Sequence, residues 1–210
     1  MRGMCCCGSL NNGDARGWLM TINNDNLDMR LFHPWRRIQL QLPHHSTLPR
    51  PYPPVRPNPF DLHRVDVKLR KAAMSDDESV VVVIHDMWAL AFWRRGDKIW
   101  TSVRNSWRDN VSDVLFHKGK FYAVKCDGEL AIIHIDTINP YIELLTDRIK
   151  KILDRRIYSA ADSVSEGFFI FMRIKSNIHM TLDFKIYEVV LAETGDWRVQ
   201  KGSGGSEKLR

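Results

Sequence analysis

The chain has 210 residues, 44% of them apolar, and its 31 basic against 25 acidic side chains leave a formal charge of +6. This composition excludes wholesale disorder, and the charge is too small and too scattered to define a nucleic-acid-binding protein. No segment approaches eighteen consecutive apolar residues and no apolar run follows Met1, so the sequence predicts neither a membrane-spanning helix nor a secretory signal.

Residues 1–42 read as one sheet unit. Cys5-Cys6-Cys7 is a candidate strand of small hydrophobes. With Cys126 it completes four cysteines, without a Cys-x-x-Cys pair. That pattern argues against a disulfide framework or zinc site and for a reducing compartment. Acylation of the triplet lacks support, because position 2 is not Gly and no membrane helix adjoins. Gly17 to Ile22 is a strand and Asn23 to Asn26 a turn, since Asn and Asp tolerate left-handed backbone. Met29 to Phe32 is the returning strand, stopped at His33-Pro34. Ile38 to Leu42 alternates with period two.

Residues 43–59 hold seven of the nine prolines, and read as an inter-blade linker in extended polyproline geometry. His44-His45 at its start has no acidic or Cys neighbour, which argues against a metal site there. The densest basic stretch runs from Arg36-Arg37 through Arg50, Arg56, Arg64, Lys68, Arg70 and Lys71. It lacks the interleaved aromatics of a phosphate-binding face and reads as a solvated edge.

The second unit, 60–103, contains the alternating Val65 to Leu69, an acidic turn from Met74 to Ser79, and the β-branched run Val80 to Ile84. Leu90 to Trp93 follows, then a Gly96-Asp97 turn and Ile99 to Val103. In the third unit, 104–138, Asp113 to Phe116, Phe121 to Val124 and Leu130 to Ile133 are strands hinged at Gly119 and Asp127-Gly128. Apolar runs of this length between Gly and Asp-Gly turns are the signal for hairpins. Pro140 to Arg156 predicts one inter-blade helix, with Ile142, Leu145, Ile149, Ile152 and Leu153 on one stripe and basic residues toward its C-terminus. The last unit, from Arg156, carries Phe168 to Met172, the alternating Phe184 to Val189, and Gly195-Asp196-Trp197. Residues 200–210 read as a flexible tail; their glycines are not a phosphate loop, because no strand-to-helix transition surrounds them.

Gly96-Asp97 and Gly195-Asp196 lie 99 residues apart, close to two kelch periods of about 50. Repeated four-stranded units with Gly turns and Trp landmarks predict an all-β fold: a partial kelch-like β-propeller of four-stranded antiparallel blades over 1–199. A flat β-sandwich is the competing architecture. No catalytic, cofactor-binding or metal-ligating set emerges. His85-Asp86, His117 and His134 are the groups an enzyme would use, but no triad or ligand spacing joins them.

Several of these segments together resemble the plant F-box-associated propellers of the KIB type. They are Gly17-Trp18-Leu19 with Leu31-Phe32-His33-Pro34-Trp35; Arg70-Lys71-Ala72; Leu90 to Trp100, similar to a "Leu-Ala-Phe-x-Arg-x-Gly-Asp-x-x-Trp" hairpin; Asp113 to Val124 with Asp127 to Leu130; and Phe184-Lys185-Ile186-Tyr187 with Trp197. The resemblance implies a non-catalytic protein-interaction propeller, the substrate-recognition part of F-box subunits of cullin ubiquitin ligases. It implies no cofactor. It also implies binding loops on one rim, so the loops Asn23 to Asn26, Ser75 to Glu78 and Arg104 to Asn110 are the surfaces to inspect, the last because Trp107 would make an anchor if exposed. A Skp-type adaptor is an expected partner only where an F-box lies upstream, and none precedes Met1. The closing family segment is replaced by Val199 to Arg210, so the chain looks like a truncated member. The alternative expectation is a stand-alone interaction fragment without ligase coupling. Either is expected to be soluble and intracellular, with its protein partner unspecified.

Overall fold

Short apolar runs closed by tight turns fold back on themselves as antiparallel meanders. The computed structural model describes residues 4–9, 18–23, 25–49, 69–85, 88–104, 110–126, 128–146, 156–162, 168–175, 181–191 and 197–201; in 4–9 and from 156 onward it describes the backbone alone. The first sheet holds β1 (Met4–Ser9), β2 (Leu19–Asn23), β3 (Met29–His33) and β4 (Ile38–Gln41), in that spatial order. The second holds β5 (Leu69–Met74), β6 (Val80–His85), β7 (Ala89–Arg94) and β8 (Thr101–Ser102). The third holds β9 (Val111–His117), β10 (Lys120–Lys125), β11 (Leu130–His134) and β12 (Tyr141–Leu144). The fourth holds β13 (Arg156–Asp162), β14 (Phe168–Lys175), β15 (Thr181–Leu191) and β16 (Trp197–Lys201).

Each sheet is a blade whose first strand faces the first strand of its neighbour: β1 against β5, β5 against β9, and β9 against β13. A sheet so placed needs apolar side chains on both faces, and the second blade shows this best. Met74 pairs with Val81 and Val81 with Trp93 on one face, Ala73 with Val82 and Val82 with Phe92 on the other. The first row packs with Trp18, Met20, Met29 and Leu31 of blade one; the second packs with Val114, Phe116, Phe121 and Ile133 of blade three. Val81 to Ile84 are therefore all buried, which is why this strand reads as a continuous run rather than an alternation.

Polar contacts pin the blades. Lys71 Nζ lies 2.9 Å from Asp113 Oδ2, joining the inner strands β5 and β9, with the Asp113 side chain fully buried. Trp100 donates its indole N–H to the Pro43 carbonyl at 3.3 Å, fixing the outer edge of blade two against the segment leaving blade one.

The helix expected over 140–156 is not what forms at its start. Tyr141–Leu144 is strand β12, paired with β11 through Ile133↔Ile142 and Ile132↔Glu143. The open edge of β11 could pair four residues into a ladder, and that outweighed the helical stripe. Residues 147–155 lie outside the described residues, and Arg156 already belongs to β13. In the Pro-rich linker, His45–Thr47 forms a single 3₁₀ turn capped by the His44 side chain, which accepts from the Ser46 N–H; 50–68 lie outside the described residues. Ile99 to Val103 contracts to the two-residue β8.

Candidate interaction surface

In a four-stranded meander the first-to-second and third-to-fourth turns lie at one end, and the second-to-third turn lies at the other. The β3–β4, β5–β6, β7–β8, β9–β10 and β11–β12 turns therefore share one rim. Three of them carry a large apolar residue out into solvent: Trp35 at 86% exposure, Ile99 at 59% and Ile138 at 99%. Each belongs to the third-to-fourth turn of a successive blade.

The rim is held together by Glu78. Its backbone sits at φ +58°, a region a non-glycine residue occupies only when its surroundings hold it there. One carboxylate oxygen accepts from Arg36 at 2.6 Å and from the Trp18 indole at 3.3 Å. Arg95 reaches the Glu78 carbonyl at 3.4 Å. Burial works against the charge, but the bonds from Arg36 and Trp18 prevail and hold the Glu78 carboxyl below its ordinary range. On the other side Arg94 donates to the Ile135 carbonyl at 2.6 Å and to Asp136 at 3.0 Å, tying blade two to the β11–β12 turn.

The β5–β6 turn is ordered from within. Ser75 Oγ donates to Asp77 Oδ1 at 2.6 Å and accepts from Val80 N–H at 2.9 Å, while Ser79 N–H donates to Asp77 at 3.1 Å. These bonds, the one from Ser75 foremost, lower the Asp77 carboxyl to about 2. Between this turn and blade three opens a cleft of about 590 Å³, walled by Phe116, Phe121 and Ile135 and edged by Asp76, Asp77 and Lys120.

The three loops expected on one rim do not share it. Ser75 to Glu78 lies on the rim just described. Asn23 to Asn26 is a second-to-third turn at the opposite end, where His44 Nε2 lies 2.7 Å from the Asn26 carbonyl. Arg104 to Asn110 links the outer strand of blade two to the inner strand of blade three; Trp107 lies outside the described residues. The reason is connectivity, since alternate turns of a meander fall at opposite ends. Trp35, Ile99 and Ile138 were missed; the signal was present as a large apolar residue inside a polar turn.

The histidines are dispersed. His85 is buried at the far end of β6, and Asp86 lies outside the described residues. His117 is buried at the end of β9, its ring centroid 6.4 Å from that of Tyr122. His134 sits 2.5 Å from Glu143 and stacks on Tyr141 at 4.6 Å. Among the described residues no group of three or more His, Cys, Asp and Glu is placed to hold a metal, and no helix is long and apolar enough to cross a membrane. The basic stretch disperses too: Arg36 is bound to Glu78, Arg70 lies 3.9 Å over the Trp88 ring, and Lys71 is paired with Asp113.

Four-stranded blades whose inner strands follow one another define a β-propeller. Known structures agree at the level of fold. A chain of the S. cerevisiae Dbp5 complex with Nup159, Gle1, IP6 and ADP superposes with a TM-score of 0.53 at 7% identity, over 89% of this chain and 45% of that one. The structure of U3-55K superposes at 0.50 and 11% identity, over 98% and 54%. The KIB1-4 beta-propeller family matches residues 1–203, and the chain belongs to that family. An F-box protein of Arabidopsis thaliana is 32% identical over 137 residues, 61% of this chain and 38% of the relative, so the match spans well under half of that protein's length.

Proposed function

We propose that this propeller works by binding protein rather than by catalysis, as the substrate-recognition part of an F-box subunit of a cullin ubiquitin ligase. The observation that carries the reading is the rim. Apolar residues stand exposed on turns fixed by ionic contacts between blades, which is how a preformed protein-binding surface is built. Family membership and the F-box relative support the ligase context. The partners in this reading are a Skp-type adaptor, bound through an F-box elsewhere in the full gene product, and a protein substrate in an intracellular, reducing compartment.

The test is affinity purification of the full-length gene product co-expressed with a Skp-type adaptor and a cullin, followed by crosslinking of bound proteins. Co-recovery of the adaptor, with crosslinks from substrate to the propeller, is expected. Crosslinked partners without adaptor would leave a stand-alone interaction module with no ligase coupling. No crosslinked partner would overturn the reading.

A further inference from the structure

Resting on the protein-binding reading, the charge distribution along the rim specifies the partner. The rim has two stretches of different character. Toward blade three, the cleft edge carries Asp76 and Asp77 beside Lys120. Toward blades one and two, Arg37, Arg95 and Lys98 are exposed beside Trp35 and Ile99. Glu78 is bound by Arg36 and Trp18, while Asp97 accepts only the Arg94 backbone N–H at 3.2 Å and keeps its charge at the surface. What faces outward is two apolar anchors and three cations, Arg37, Arg95 and Lys98, against the single carboxylate of Asp97.

Glu78 makes the stretch continuous. Arg36, adjacent to Trp35, and Arg95, in the same turn as Lys98 and Ile99, both bind it. The β3–β4 turn of blade one and the β7–β8 turn of blade two are thus held as one surface. We propose that this surface docks an acidic protein segment bearing apolar anchor residues. Its Asp or Glu side chains meet Arg37, Arg95 and Lys98, and its apolar side chains pack on Trp35 and Ile99. A solitary exposed apolar side chain is ordinary. An exposed Trp followed in its turn by two arginines, with an exposed isoleucine at the equivalent turn of the next blade, fits the composition of a binding hot spot.

Three fluorescein-labelled peptides test this by anisotropy on the full chain. The first alternates Asp and Glu with Leu and Phe, the second replaces the acids with Lys, and the third replaces the apolar residues with Ser. The first should bind about tenfold more tightly than either of the others, and raising the salt should weaken it. Trp35→Ala and Lys98→Glu should each reduce that binding about tenfold, while Leu144→Ser, outside the stretch, should not. These sites are exposed, and unchanged thermal unfolding would show that each variant is folded. Equal binding of the lysine peptide, no binding of any peptide, or insensitivity to Trp35→Ala overturns the assignment. So does displacement of the acidic peptide by the serine peptide or by oligothymidine at equal concentration, which would define a general polyanion surface. A crosslinked partner that still binds the Trp35→Ala/Lys98→Glu double variant would overturn this docking surface and leave the protein-binding reading standing.

Discussion

Asp77 is held anionic by two serines in its own turn, and that has a pH signature. Its carboxyl lies at about 2 in the folded chain against an ordinary 3.8. A carboxyl depressed by folding stabilises above its unfolded value and loses that contribution as pH falls through the folded value. The difference in urea midpoint between the native chain and Asp77→Ala should therefore be present at neutral pH and shrink between about pH 4 and pH 2. A difference that grew with acid would contradict the assigned hydrogen bonds. The Lys71–Asp113 pair makes a second residue-level prediction. Replacing Lys71 by Met removes a cation from beside the buried Asp113 carboxylate, while Lys71→Arg keeps the charge. Lys71→Met should cost about 2–3 kcal/mol in chemical denaturation, somewhat less than a fully buried pair because Lys71 keeps some contact with water. Lys71→Arg should cost clearly less. Equal losses would mean that packing, not charge, is what Lys71 supplies.

At the scale of elements, the tightest constraint is the two-residue turn between β9 and β10. Lys118 and Gly119 both have positive φ, +45° and +79°, the requirement of the hairpin turn that matches strand twist. A Cβ at Gly119 would meet nothing within 4 Å. The cost of Gly119→Ala is therefore conformational, about 1–2 kcal/mol by thermal unfolding. Phe92 lies on the face of β7 that packs into blade three and is 1% exposed. Phe92→Ala should cost about 3–5 kcal/mol by the same measurement. Strands such as Val80–His85 and Lys120–Lys125 were legible in sequence because each is a compact apolar run between turn residues. Tyr141–Leu144 was not legible. Its four residues carry no strand pattern of their own, and the ladder it joins is supplied by β11. β8 was over-read for the complementary reason: Trp100 and Val103 are buried by packing although only Thr101–Ser102 pair as strand.

Across the molecule, the two apolar clusters share blade two. Its faces serve blade one and blade three at once. Such a shared layer couples its neighbours, so blades one to three are expected to unfold as one unit, in a single calorimetric transition whose van't Hoff and calorimetric enthalpies agree. Two separated transitions would show that the blades behave as independent repeats. The four-unit, all-β organisation was visible in the sequence because apolar runs closed by Gly and Asp-Gly turns repeat along it and a Gly-Asp turn returns two blades on, at 96–97 and 195–196. The family segments around Leu90 to Trp100 and Asp113 to Val124 carried the resemblance. Of the rim that carries Trp35, Ile99 and Ile138, only Ser75 to Glu78 was singled out in the sequence. Hydrophobic period and turn chemistry are local properties, and by themselves they determined the fold class and most strand positions. Which turns share a rim, and that Glu78 joins Arg36 to Arg95, depends on connectivity and on contacts between residues 42 apart and 17 apart. Only the tertiary structure could decide these, because no local pattern records which distant turns a meander brings to the same end.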